Sequence, residues 1–165
     1  MIEVIQDHDA WAAVDLDALA GAAVSAALSH LGLDPEEWEV AVLACDDARI
    51  AELNADFRDK PRPTNVLSWP SEERGVSEAG GKPPVPEPSM GPPDELGDIA
   101  IAYETCAREA EAAGKPMETH VRHLLVHATL HLLGYDHETE PDAELMEGLE
   151  TQILATLGDP DPYSE

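Results

Sequence analysis

One segment limits what this chain can fold into more than any other. From Pro116 to Leu133 the sequence is apolar on two sides of a helix. Met117, Val121, Leu124, Leu125, Ala128 and Leu132 form one stripe, and Val126, Leu130 and Leu133 fall on the other side. A helix with so little polar face to offer water belongs in the middle of a domain, covered by other elements. Pro116 suits its first position and Gly134 its end. Histidines stand among these apolar residues: five of the chain's seven lie between residues 120 and 137.

The remaining segments supply the cover. Residues 2–5, 38–45, 64–69 and 96–103 read as strands, being short apolar or alternating runs bounded by Gly, Pro and Asp. Asp15 to Leu31 is an Ala- and Leu-rich helix stopped by Gly32. Asp46 or Asp47 caps a short helix that brings Ile50, Leu53 and Phe57 to one face. Another helix runs to Ala113, and a last one spans about 141–157. The order β-α-β-α-β-loop-β-α-α-α predicts an α+β fold, a four-stranded mixed sheet packed with about five helices, the histidine-bearing helix central. At 165 residues the chain suits a single domain, 1–165. Between Ser71 and Asp94, six prolines and four glycines rule out a helix or inner strand and predict a long loop at about 71–94.

Composition excludes several functions. Hydrophobic residues at 43% and charged residues at 27% describe a folded globular chain. Two cysteines, Cys45 and Cys106, are too few for a disulfide scaffold. The absence of an 18-residue apolar run or a basic-apolar leader predicts a soluble, cytoplasmic protein with no membrane partner. The net charge of −26 repels phosphate backbones, and so argues against nucleic acid. Salt adaptation and ordinary solubility would each account for it. Yet four of the nine basic residues, Arg49, Arg58, Lys60 and Arg62, fall within fourteen positions. Such a cluster makes a local phosphate site in an otherwise acidic chain.

The spacing His127-x3-His131-x5-His137 carries chemistry. Residues four apart on a helix share a face, so His127 and His131 can meet one metal ion. Gly134 permits the turn that returns His137 to the same point. Three imidazoles with an open fourth position describe a catalytic zinc site. A histidine pair on a buried helix has a blander explanation in hydrogen bonding, and the third histidine past a glycine tips the balance to metal. Asp136 or a carbonyl would orient a ligand ring. His120 and His123 are expected to be structural or solvent-facing, although His123 with His127 is an alternative pair at the same spacing. The pattern also fits the metzincin proteases at every position but one: Ala128 stands where their catalytic glutamate would be, and alanine takes no proton.

The run from His127 to His137 (His-Ala-Thr-Leu-His-Leu-Leu-Gly-Tyr-Asp-His) resembles the signature of the bacterial YbeY endoribonucleases. Leu53-Asn54, Phe57-Arg58, Pro63-Thr-Asn-Val-Leu-Ser-Trp-Pro70, Leu96-Gly-Asp-Ile-Ala-Ile101, Met146 and Glu150 fit in the same order. Ala128 replaces the family's usual glycine, and the loop at 71–94 is longer than usual. The resemblance implies a zinc-dependent, single-strand-specific endoribonuclease acting in rRNA maturation (16S rRNA 3′ end processing) and ribosome quality control. It implies one zinc ion per chain on His127, His131 and His137, an essential arginine, here Arg58, and ribosomal small-subunit proteins as partners. In that reading zinc acts as Lewis acid and activates water, and Arg58 binds the scissile phosphate. Without the resemblance Arg58 is a solvated helix-end residue. The rival readings are a metzincin-like metallopeptidase lacking its glutamate, and a non-catalytic ribosome assembly factor whose zinc is structural.

Overall fold

The computed structural model describes residues 2–71, 81, 83, 86 and 93–163. Strand β2 (Trp38–Cys45) alternates buried and half-buried side chains, the period-two pattern of a strand at the centre of a sheet. Strand β1 (Ile2–Gln6) lies parallel along one side of it, and β4 (Asp94–Ala102) parallel along the other. β3 (Val66–Pro70) runs antiparallel to β4 and forms an edge, giving the order β1-β2-β4-β3. The helices are α1 (Leu16–His30), α2 (Asp47–Arg58), α3 (Tyr103–Ala113), α4 (Met117–Leu132) and α5 (Glu140–Thr156). The fold is therefore α+β, with, among the described residues, a four-stranded mixed sheet and five α-helices. The long loop expected at 71–94 lies almost wholly outside the described residues.

Alternation along β4 separates two cores. Ile99 and Ile101 face the larger one, with Leu28 of α1, Leu125 and Leu130 of α4, and Met146 and Ile153 of α5. Ala100 and Ala102 face the smaller one, where Ile50 of α2 packs on Cys45, flanked by Leu53, Leu67 and Trp69. α4 packs against α1, α3, α5, β3 and β4, which is the central position its two apolar sides demand. Gly97 lets β3 and α4 come this close. A Cβ there would overlap the Trp69 carbonyl and the Leu132 side chain.

Two sequence expectations change. Phe57 does not share the buried face of Ile50; it is 62% exposed. By its last turn α2 has reached the edge strand, and Phe57 meets Trp69 edge-on at 5.4 Å. Residues Asp9–Ala13, read as no element, form a 3-10 turn that buries Trp11 completely. The Trp11 indole donates to the Cys45 carbonyl at 2.9 Å, which gives the buried ring its polar partner. Among the described residues no helix is long and apolar enough to cross a membrane.

Candidate active site

The helical period brings the His127 and His131 rings to a centroid separation of 4.6 Å. α4 ends where Gly134 takes φ 103°, a conformation glycine adopts freely. The Gly134 N–H donates to His131 and the Tyr135 N–H to Leu130, each at 3.0 Å, satisfying carbonyls the helix leaves open. The chain then doubles back, and the His137 ring stands 5.1 Å from that of His131 and 5.3 Å from that of His127. Asp136, which with a backbone carbonyl was one of two groups expected to orient a ligand ring, accepts the main-chain N–H of His137 at 2.6 Å.

His127, His131 and His137 each offer a ring nitrogen, and these atoms lie within 4.8 Å of one another. The Nε2 atoms of His127 and His131 are 3.1 Å apart. Two bare nitrogen lone pairs repel at that distance unless a proton or cation lies between them. A tetrahedral ion with bonds of about 2.0–2.1 Å would hold its ligand nitrogens about 3.3 Å apart. The donor set therefore fits a metal ion. Burial pushes the His131 imidazole down to about 4, with neighbouring His127 and His137 acting in the same direction. The ring stays neutral, which is the ligating form.

The facing wall comes from α2 and β3. α2 ends at Asp59 in the left-handed region, φ 55°. Buried Asn54 fixes the turn that follows: its carbonyl accepts the Lys60 N–H at 3.2 Å, and its side-chain amide donates to the Arg62 carbonyl at 3.0 Å. Arg58 does bind a carbonyl, as a helix-end arginine would, but not one of its own helix. Its Nη2 donates to the Ser68 carbonyl at 2.9 Å, on the open edge of β3. Arg58, Lys60, Arg62 and Ser68 line one wall of a cleft of about 630 Å³, and His127, Ala128, His131, Asp136, His137 and Glu138 line the other. All four site residues singled out from sequence thus reach one cleft. His123 does not join the triad, because its Nε2 faces Glu150 at 2.6 Å. His120 pairs with Glu109 at 2.8 Å.

Residues 2–158 match the family model described as Endoribonuclease YbeY. The chain belongs to the YbeY endoribonuclease family. It is 58% identical over 162 residues to Endoribonuclease YbeY of Dinoroseobacter shibae, covering 98% of this chain and 90% of that one. To Endoribonuclease YbeY of Ruegeria pomeroyi it is 60% identical over 149 residues, covering 90% of each. The solution structure of a Thermotoga maritima protein matches the whole of both chains with TM-score 0.55 and 21% identity, a likeness of fold. Membership makes the chain a metal-dependent hydrolase of phosphodiester bonds, and it removes the peptidase that the histidine spacing alone had allowed.

One residue near this YbeY site was given no role from sequence. Glu150 of α5 is fully buried, and its Oε1 accepts from His123 at 2.6 Å and from Tyr163 at 2.9 Å, with His127 Nδ1 at 3.3 Å. Burial works to raise its carboxyl, but the hydrogen bonds from His123 and His127 prevail and hold it down to about 2. A signal was present in the sequence: Glu150 falls at helical spacing with Met146, Ile153 and Leu154, a charge on an apolar stripe.

Proposed function

We propose that this chain cleaves single-stranded RNA in the maturation of the 16S rRNA 3′ end and in ribosome quality control, in the cytoplasm. One zinc ion per chain is held by His127, His131 and His137, and small-subunit ribosomal proteins are the natural partners. The observation that carries this reading is the cleft: in a chain of net charge −26, three cations, Arg58, Lys60 and Arg62, face the imidazole triad. Asp136 and Glu138 also line the cleft, so the three cations leave it a small positive excess, which locally offsets part of the repulsion that the rest of the surface exerts on a polyanion.

Arg58 binds the scissile phosphate. Its guanidinium has five N–H donors in a plane, and the bond to Ser68 holds that plane at the cleft wall. The donors that remain can clamp two phosphoryl oxygens and meet the negative charge that grows in the transition state. Lys60 and Arg62, fixed by Asn54, hold the flanking backbone. The chemistry a bound zinc ion supplies is Lewis-acid polarisation of a phosphoryl oxygen and activation of water. Ala128 offers no proton acceptor at the position a peptidase would use.

The test is cleavage of end-labelled single-stranded RNA, with a duplex RNA and casein as controls, before and after chelation. Chelator-sensitive cleavage of the single strand alone is expected. Casein hydrolysis, or RNA cleavage that survives chelation, would overturn the reading.

A further inference from the structure

We propose that Glu150 is a positioning residue that fixes the tautomer and ring angle of His127, with Tyr163 and His123 holding the carboxylate in place. The inference rests on His127 being a metal ligand, as proposed above.

A carboxylate with 1% of its side chain exposed costs a folded protein several kcal/mol unless donors surround it. Glu150 has donors, but they are unevenly placed. His123 Nε2, Tyr163 Oη and His127 Nδ1 all converge on Oε1, and among the described residues buried Oε2 has no hydrogen-bond partner. A carboxylate recruited only to satisfy the core would spread its partners over both oxygens. Here His123 at 2.6 Å and Tyr163 at 2.9 Å hold one oxygen, and the same oxygen bears on the His127 ring at 3.3 Å.

The consequence for His127 is chemical. An ionised carboxylate accepts and does not donate, so the ring nitrogen it faces, Nδ1, carries the proton. The lone pair then falls on Nε2, the atom 3.1 Å from Nε2 of His131 and turned to the point the triad shares. Glu150 is buried behind the ring, with 1% of its side chain exposed. It acts through His127, as carboxylates behind ligating histidines do.

The tail of the chain takes part. Arg122 clamps Asp159 with two bonds of 2.7 and 2.8 Å, and Thr151 donates to Asp161 at 3.2 Å. These fasten the segment after α5 against α4 and α5, and so deliver the Tyr163 hydroxyl to Oε1.

Two measurements test the inference. Nitrogen-15 spectra of the metal-free wild type, above the range in which imidazole titrates, should show His127 protonated at Nδ1 and bare at Nε2; the opposite tautomer would overturn it. Zinc competition against a chromophoric chelator should show Glu150→Gln about 10- to 100-fold weaker than wild type, with a His127 signal of mixed tautomers. Wild-type zinc affinity in a folded Glu150→Gln overturns the inference and leaves the ligand assignment intact. Failure of the wild type to bind zinc removes the ligand assignment instead. Should Glu150→Gln not fold, the wild-type spectrum still decides.

Discussion

Of the polar clusters that tie helices together in this protein, two are built in opposite ways. Between α2 and α3, Asp47 Oδ1 accepts the main-chain N–H of Thr105 at 3.0 Å and its hydroxyl at 2.8 Å, and Oδ2 takes Arg108 at 2.9 Å. Glu104 returns the favour by accepting the Asp47 N–H at 3.1 Å. Each helix thus caps the start of the other, and α3, whose own N-cap residue Ala102 has no side chain to do so, depends on it. Both oxygens of Asp47 have donors, and Arg108 is 64% exposed. Between α4 and α5, Glu150 is buried, uses one oxygen for three donors and, among the described residues, gives the other none. The first cluster completes secondary structure and ends there. The second hands its constraint on to a ring in the cleft.

Breaking the triad should have the largest effect. Elemental analysis should find about one zinc per chain. His131→Ala removes one of three imidazoles and should abolish both tight zinc binding and RNA cleavage. Full zinc retention in a His127/His131 double alanine variant would place the metal elsewhere.

Arg58 comes next. Arg58→Ala should lower single-turnover cleavage about a hundredfold, roughly 3 kcal/mol, the usual loss for one transition-state donor. Arg58→Lys should lose most activity too, since an ammonium does not reproduce the planar fork. Zinc content and melting temperature should stay near wild type in both. Undiminished cleavage by Arg58→Ala would return Arg58 to being an ordinary helix-end residue.

The comparison is sharpened at Asp47. Asp47→Ala should cost about 1–2 kcal/mol of stability, as loss of a cap does, while cleavage per folded molecule and zinc affinity hold. A drop in zinc affinity would erase the distinction between the clusters.

Acid gives the subtlest effect, read as melting temperature against pH on metal-free protein. His131 titrates in the folded chain at about 4, below its ordinary 6.5, so between these values only the unfolded chain takes the proton, and stability falls as pH drops through that window. Glu150, held at about 2 against 4.5, adds stability that is complete above 4.5 and is lost as pH falls toward 2. Arg108 and Thr105 overcome burial to hold the Asp47 carboxyl down as well. Glu150→Gln should flatten the loss below about 4.5, Asp47→Asn should flatten the loss below the ordinary aspartate range, and both should leave the upper window in place. An unchanged lower limb in both would show that neither carboxylate governs acid stability.

Much of this architecture was legible in residue spacing, and each exception has its own physical reason. The two-sided apolar pattern at 117–133 required a central helix, and α4 is central. The apolar run at 38–45 predicted a strand, and β2 stands there, between β1 and β4. Phe57 was misplaced because helical periodicity says which residues share a face without saying how far along the helix the neighbouring sheet extends. Trp11 was passed over because no period marks a turn five residues long. Glu150 fitted the family's order yet received no role, since its partners His123 and His127 lie on another helix and Tyr163 beyond the end of its own.

The sequence by itself determined the local half of the site. His127 and His131 share a face because the helical period is a property of the backbone, and Gly134 lets His137 return because its left-handed turn needs no distant support. Tertiary structure alone decided the rest. Arg58 shares a cleft with the histidines because the order β1-β2-β4-β3 leaves β3 at the edge, where Gly97 admits α4 and the Ser68 carbonyl stays open to the guanidinium. Glu150 reaches His127 because α5 packs on α4. Such meetings depend on how whole elements stack, which side-chain spacing within any one of them does not encode.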